Sequence, residues 1–466
     1  MSTRCWNLSP KSRWACSTLL IFALSNLNLP AAQDIEFERN LAREMLSTTS
    51  KQLQEHFYDR ELRELHWMDM TEKARVMIEN ASALAEMLAV IYSLVNGLND
   101  SHTIFLPPPR TLQRHFGFDA MGFGDEVRIY AIDQSGAASA AGLQVGDWLL
   151  TINGAKVTPQ NIHSIMLYSE VLLPVDAMEV TFYREHNPAR SVRVQSRISE
   201  RPSLEYVTDL PDVYQLLQWT FSRSRGRDVD SARAQVFSLP EGRIVYLRLP
   251  FFSVDDSMVA RLIGQTRNAI AVILDLRGNP GGSVQTMQYL AGFFGSQPLT
   301  MAHIIGPKAP AELNVKPHRS QVASPLFILV DSRTASASEI FARHFQLTGR
   351  AVVFGDRTAG RVSASRIFSS HIGSTLVISY GLQIAIGRIV FPGGEELEGK
   401  GVMPDHSCIP TPLDLIEHRD VCLTTAIELA RKSQHASRLS PSMWFLSNLS
   451  VIRHFEIFSR VAATFL

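Results

Sequence analysis

Cysteine is scarce in this chain of 466 residues, with only Cys5, Cys16, Cys408 and Cys422. No CxxC pair or histidine-rich stretch accompanies them. The ligand spacing of a zinc site is therefore missing, and neither a metal nor an organic cofactor is implied. Net charge is also missing: 45 basic residues balance 45 acidic ones, with no long run of either sign. That excludes the basic footprint of a nucleic-acid partner. The apolar stretch from Trp14 to about Leu29 is interrupted by Ser25, Asn26 and Asn28, so no stable membrane span is expected of it.

What this stretch has instead is the layout of a secretory signal. Arg4, Lys11 and Arg13 precede it, and Ala31 and Ala32 follow. Residues 1–32 read as a signal peptide cleaved near Ala31 or Ala32, which implies export to a periplasmic or extracellular space. Only Cys408 and Cys422 would then remain. In an oxidising compartment they can pair, the alternative being two free thiols.

Periodicity divides the remainder. Residues 33–108 carry apolar positions at three-to-four spacing and read as helical up to Leu98, with HTIFL (His102 to Leu106) extended and PPPR as a stiff boundary. Residues 113–197 alternate in short strands, among them EVRIYAI, DWLLTI and AMEVTFYR. Residues 200–240 are rich in Arg and Ser and read as a connector. From Gly242 strands and helices alternate, with IVYLRLPFF, AVILDLR, PLFILV and AVVF as buried strands, and then RIFSS, TLVISYGLQI and RIVFP follow one another directly. A mixed α/β core over 200–432 is expected. The tail 433–466 has no assigned role.

Four motifs carry chemistry. DLRGNPGG (Asp275 to Gly282) is a glycine turn between a strand and a helix, where backbone amides can approach a ligand. TASASE (Thr334 to Glu339) joins a strand to a helix, a common way to present a nucleophilic serine. Its Ser336 and Glu339 also spell a capping box, a purely structural way to start that helix. GDRTAGR (Gly355 to Arg361) and LEGKGVMPD (Leu397 to Asp405) complete the set.

In this order the motifs resemble the C-terminal processing, or tail-specific, serine peptidases, over roughly residues 50–430. Within the β-rich unit, SGAASAAGLQVGDWLLTINGAKV (Ser135 to Val157) resembles a PDZ domain. The resemblance implies a mixed-sheet serine protease core (ClpP/crotonase-like) with an inserted β-rich PDZ domain and a helical N-terminal region. By position it makes Ser336 the nucleophile, ahead of Ser332 and Ser338. The oxyanion hole falls to the amides of Ala337 and of Gly281 or Gly282. The PDZ carboxylate loop falls at Met121, Gly122, Phe123 and Gly124, which would hold a peptide or unfolded protein substrate. The other reading of that domain is a spacer that binds no peptide.

The sequence departs from the family's Ser-Lys dyad, because Arg361 stands at the lysine position. Arginine keeps its proton and cannot be a general base. Another branch of the superfamily uses Ser-His-Glu, with the histidine in a segment like NDSHTIF (Asn99 to Phe105). His102 then becomes the base and Glu398 its orienting acid, with Glu395, Glu396 and the base Lys400 as weaker choices. A histidine base predicts loss of rate on acidification around pH ~6–7. The competing function is a catalytically inactive peptide- or protein-binding member of the same fold, motivated by Arg361.

Overall fold

The computed structural model describes residues 31–59, 67–109, 112–185, 187–200, 232–307, 310–373 and 377–439. Most of the segment expected as a signal peptide (up to residue 30), most of the Arg- and Ser-rich connector and the tail from residue 440 lie outside them.

Three helices come first: α1 (Ala31–His56), α2 (Trp67–Asn80) and α3 (Leu84–Asn96). Their apolar faces meet around Met45, Trp67, Ile78 and Ile91, all nearly inaccessible to solvent. The same cluster takes in Phe105, Tyr380, Leu382 and Ile384, so the helices pack directly against a sheet of the core.

Strand β1 (Ile104–Leu106) leaves this layer. A ribbon of β2 (Leu112–His115) and, much later, β9 (Arg197–Glu200) closes the neck of the next unit. Between them lie β3 (Phe118–Phe123), β4 (Glu126–Ile132), α4 (Ala137–Ala140), β5 (Trp148–Ile152), β6 (Ala155–Lys156), α5 (Ile162–Leu167), β7 (Ala177–Tyr183) and β8 (Arg190–Gln195). The sheet runs β3-β4-β5-β7-β8, with β6 on β5 and β3 at a free edge. Its own apolar core is built on Phe116, Val127, Leu149, Met166 and Val180.

The main body follows: β10 (Arg233–Leu239), β11 (Gly242–Arg248), α6 (Asp256–Gly264), β12 (Ala269–Asp275), α7 (Val284–Ala291), β13 (Leu299–Ile305), β14 (Ala311–Val315), β15 (Leu326–Val330), α8 (Ala337–Leu347), β16 (Ala351–Gly355), β17 (Ser363–Ile372), β18 (Ile378–Val390), β19 (His406–Ser407), α9 (Pro412–Ile416) and α10 (Val421–Leu439). One sheet is ordered β10-β11-β12-β15-β16-β19 and is parallel apart from β10. All five residues of β15 are buried, as expected of a strand covered on both faces. Alternation decides which face each residue joins. Val272, Leu274 and Ile328 pack with α6, α7 and α8, whereas Ile273, Phe327 and Leu329 pack with α10. The Cys408–Cys422 disulfide fastens the segment after β19 to α10.

A second sheet is ordered β1-β18-β13-β14, with β17 also on β18. RIFSS, TLVISYGLQI and RIVFP were expected as separate strands, yet the last two merge into the 13-residue β18. Gly387 does not break it, because a Cβ there would lie 2.9 Å from Ile304 and 3.0 Å from the Ile305 carbonyl. The glycine is where β13 makes its close approach.

Met121 to Gly124 are not a loop. Met121, Gly122 and Phe123 end β3, paired with Arg128, Val127 and Glu126, and Gly124-Asp125 is the hairpin turn, with Gly124 at φ 61°. This tip docks on the core. The Ser332 hydroxyl donates to the Gly122 carbonyl at 2.6 Å, and the Gly124 N–H donates to Asp356 Oδ2 at 2.7 Å. Gly117, at φ 87°, forms the turn ahead of β3 and abuts the start of α4.

Candidate active site

The turn after β15 is held by its neighbours before any chemistry is considered. Asp331 accepts from the Gly278 and Arg333 amides, and the Thr334 hydroxyl donates to the Leu276 carbonyl. The Ala335 N–H donates to the Asn279 carbonyl. The TASAS and NPGG turns are thus bonded to each other. At the end of the first, Ser336 adopts φ 59° and ψ −122°, a conformation that costs an L-residue of order 1–3 kcal/mol. The strain turns its hydroxyl out of the backbone at the start of α8.

The capping pair is present in altered form. The Glu339 carboxylate accepts from the Ser336 N–H at 3.1 Å. The Ser336 hydroxyl is turned to His102, with Oγ 3.0 Å from Nε2. Glu339 is fully buried and also accepts from the Arg361 and Gly360 amides, at 2.9 Å each, and from the Thr358 hydroxyl. Burial pushes its carboxyl up to about 7 against those donors. An acid read from sequence as a cap therefore also ties the GDRTAGR loop to the helix that Ser336 begins.

His102 lies 234 residues before Ser336 in the chain. It is brought there by β1, whose Ile104 to Leu106 pair with Gln383 to Gly381 of β18. Asp100 fixes the local turn by accepting from the His102 N–H at 3.0 Å and the Thr103 hydroxyl at 2.8 Å. Thr103 Oγ1 in turn accepts from the Ala385 N–H. The imidazole is only 5% exposed. Burial first, and the Arg361 charge second, hold its pKa at about 3, so it is neutral near pH 7.

The acid expected behind His102 is not there. Glu398 Oε2 accepts from the Val362 N–H at 2.6 Å, with the Ser363 hydroxyl at 3.4 Å. The partner of His102 Nδ1 is the Ser101 hydroxyl, at 2.9 Å. Ser101 was missed because a serine after Asn99-Asp100 reads as an ordinary turn residue. Glu398 still lines the same cavity. Glu395 pairs with Arg343, Glu396 with Arg388, and Lys400 is exposed away from the cavity. Of the other serine candidates, Ser332 is bonded to Gly122, and Ser338 is wholly buried with no partner for its hydroxyl among the described residues.

The oxyanion candidates separate in the same way. The Gly281 N–H donates to Asn279 Oδ1 at 2.9 Å and is buried. Gly282 lines the cavity, and its N–H has no protein acceptor among the described residues. Gly281 has a different task. A Cβ on it would lie 2.6 Å from Ser336 Cβ and 3.0 Å from the Ala337 amide, so glycine is needed there for close approach.

The cavity is about 2330 Å³ and is shared by His102, Ser336, Gly282, Glu398 and the β3–α5 side of the small unit. That exceeds a small-molecule pocket and suits an extended polypeptide. No group of three or more His, Cys, Asp or Glu placed to hold a metal occurs among the described residues.

Residues 243–408 match the profile of Peptidase family S41. Over these residues the chain is similar to the S41 serine peptidases. Their carboxyl-terminal-processing members are its relatives. It is 25% identical over 352 residues to carboxyl-terminal-processing peptidase 1, chloroplastic, of Arabidopsis thaliana, covering 72% of this chain and 65% of that protein. To the carboxyl-terminal-processing protease of Synechocystis it is 25% identical over 445 residues, covering 89% and 92%. The mature CPAF structure with lactacystin aligns with a TM-score of 0.56 at 16% identity, over 85% of this peptidase and 98% of that chain, a likeness of fold. No described helix of the peptidase is long and apolar enough to cross a membrane.

Proposed function

We propose that the chain is an exported serine endopeptidase working through an acyl-enzyme. The observation that carries this reading is the 3.0 Å contact between Ser336 Oγ and a buried, neutral His102. With Nε2 accepting from Ser336, the ring proton sits on Nδ1 and is donated to Ser101. Ser336 attacks the peptide carbonyl while Nε2 takes its proton. The oxygen of the tetrahedral intermediate accepts from the Ala337 and Gly282 amides. Collapse breaks the C–N bond, His102 hands its proton to the leaving amine, and water then hydrolyses the ester by the same route. Ser101 positions the imidazole, and Glu398 lines the cavity wall, held by the Val362 amide.

The small unit is read as a PDZ domain that delivers peptide to this cavity or gates it. Three features support that. Strand β3 is a free sheet edge, its inner side opens into the cavity beside α5, and Gly117 makes the turn ahead of it. A peptide carboxylate would then meet the turn at Gly117, not Met121 to Gly124, whose tip is docked on the core. The non-catalytic reading is motivated by Arg361 standing where a base is expected, and the His102–Ser336 contact favours the catalytic one.

A fluorophosphonate probe tests the reading. Wild type should be labelled, whereas Ser336→Ala should not be and His102→Ala only slowly. Folded wild type that resists the probe, with and without added peptides bearing free C-termini, would refute it.

A further inference from the structure

Five arginines line the cavity. Arg248 faces Asp275 at 3.3 Å, and Arg333 is bonded to Asp331 and to the Tyr130 hydroxyl. Arg357 lies 3.6 Å from Asp125, and Arg366 stands over the Phe368 ring. Arg361 differs from all four. Among the described residues its guanidinium has no ion pair, hydrogen bond or ring contact, although it is half-buried in the cavity wall.

The backbone of Arg361 is tied to the catalytic turn. Its N–H donates to Glu339 Oε2 at 2.9 Å, and its carbonyl accepts the Ser336 N–H at 2.8 Å. The Cα is therefore fixed relative to the nucleophile while the side chain remains free. Glu398, on the same wall, makes no ion pair with Arg361, and its carboxylate is held by the Val362 amide. A permanent cation that is half-desolvated and lacks a counter-ion is a site for an anion, and a guanidinium matches a carboxylate in two parallel hydrogen bonds.

We propose that Arg361 is a specificity-determining residue, pairing with a carboxylate of the peptide that lies across Ser336 and His102. The inference rests on the peptidase reading. The carboxylate belongs either to an Asp or Glu side chain near the scissile bond or to the end of the substrate chain. The lysine position of the dyad branch would here have become a substrate-reading position.

The full-length protein is assayed with peptides carrying Glu or Gln at each position flanking the cleaved bond, each as free acid and as C-terminal amide. At one position, or at the terminus, wild type should favour the carboxylate by tenfold or more in kcat/KM, about the weight of a charge-assisted hydrogen bond. Arg361→Gln should bring that ratio close to one, and Arg361→Glu should invert it. The position that responds separates side chain from chain end. Ser336→Ala protein, with and without Arg361→Gln, binds the same fluorescent peptides in an anisotropy titration that needs no turnover. Cleavage failing everywhere while the binding preference persists would sink the peptidase reading and uphold the role of Arg361. Equal affinity for carboxylate and amide peptides, or a ratio unchanged by Arg361→Gln, overturns the inference while leaving the peptidase reading intact.

Discussion

Replacing Ser101 by alanine separates two accounts of how His102 is held. Among the described residues, Nδ1 of His102 has one partner, the Ser101 hydroxyl at 2.9 Å, and the residue is 5% exposed, so water does not readily replace a lost partner. An unpaired buried polar atom costs about 1–3 kcal/mol. The cost is felt most in the transition state, when the ring becomes an imidazolium and Nδ1–H must donate. The expected loss is roughly 5- to 150-fold in the rate of Ser336 acylation, at 1.4 kcal/mol per tenfold. Stopped-flow reaction with a fluorogenic ester under single-turnover conditions reads that step alone. Ser101→Thr keeps the hydroxyl and should recover most of the rate, which a merely structural role would not require. Glu398→Gln should cost less than Ser101→Ala, because a glutamine carbonyl can still accept the Val362 amide. The reasoning is refuted if Ser101→Ala acylates within twofold of wild type while Glu398→Gln abolishes the reaction. The acid would then be the direct partner of His102 in the working enzyme.

The acid limb of the acylation rate should lie near pH 3–4, not at the pH ~6–7 expected of an unperturbed histidine, since burial and Arg361 hold His102 at about 3. The sign for stability follows from the same shift. Between pH 6.5 and about 3 the unfolded chain takes up a proton that the folded chain refuses, so stability falls on acidification across that window. His102 contributes at most about 1.4 kcal/mol per pH unit, and urea midpoints of wild type and His102→Asn should converge as pH falls. Gly282→Ala should slow acylation by about 10²–10³-fold with circular dichroism unchanged, because its Cβ would lie 2.6 Å from the Phe252 carbonyl at φ 132° and shift an oxyanion donor. Reducing the Cys408–Cys422 bond reopens a loop of sequence separation 14, which should lower stability by about 3 kcal/mol in denaturant titrations with and without reductant.

What could be read in advance was what local pattern determines. AVILD and PLFILV are continuous apolar runs, and a strand buried on both faces needs nothing more to declare itself. The serine turn and the histidine segment were legible as motifs, and their convergence follows from β1 joining β18, a pairing that no local pattern encodes. The errors arise where a backbone amide competes for a side chain or a turn. Glu398 was assigned to His102 on sequence order, yet a nearby amide at Val362 holds it.

Local rules narrow two of these readings. An asparagine accepts from the amide two residues on, so Asn279 takes up the Gly281 N–H and leaves Gly282 as the proposed donor. Gly124-Asp125 between alternating segments is a hairpin turn, which made Met121 to Phe123 strand and moved the turn ahead of β3 to Gly117. Glu339 was beyond such rules. Its helix-start role is visible in four letters, but its grip on Gly360 and Arg361 exists only once β16 has brought the GDRTAGR loop alongside α8. That grip is the physical link between the two unusual features of the site. The same carboxylate that accepts from the Ser336 amide holds the Arg361 backbone, so the proposed nucleophile and the Arg361 guanidinium are positioned by one buried group. Glu339→Gln, which turns an amide NH₂ toward these donors, should therefore impair acylation and carboxylate selectivity together, whereas Arg361→Gln should strike selectivity far more than acylation. If the Glu339 variant loses only one of the two, they are not held by a common anchor.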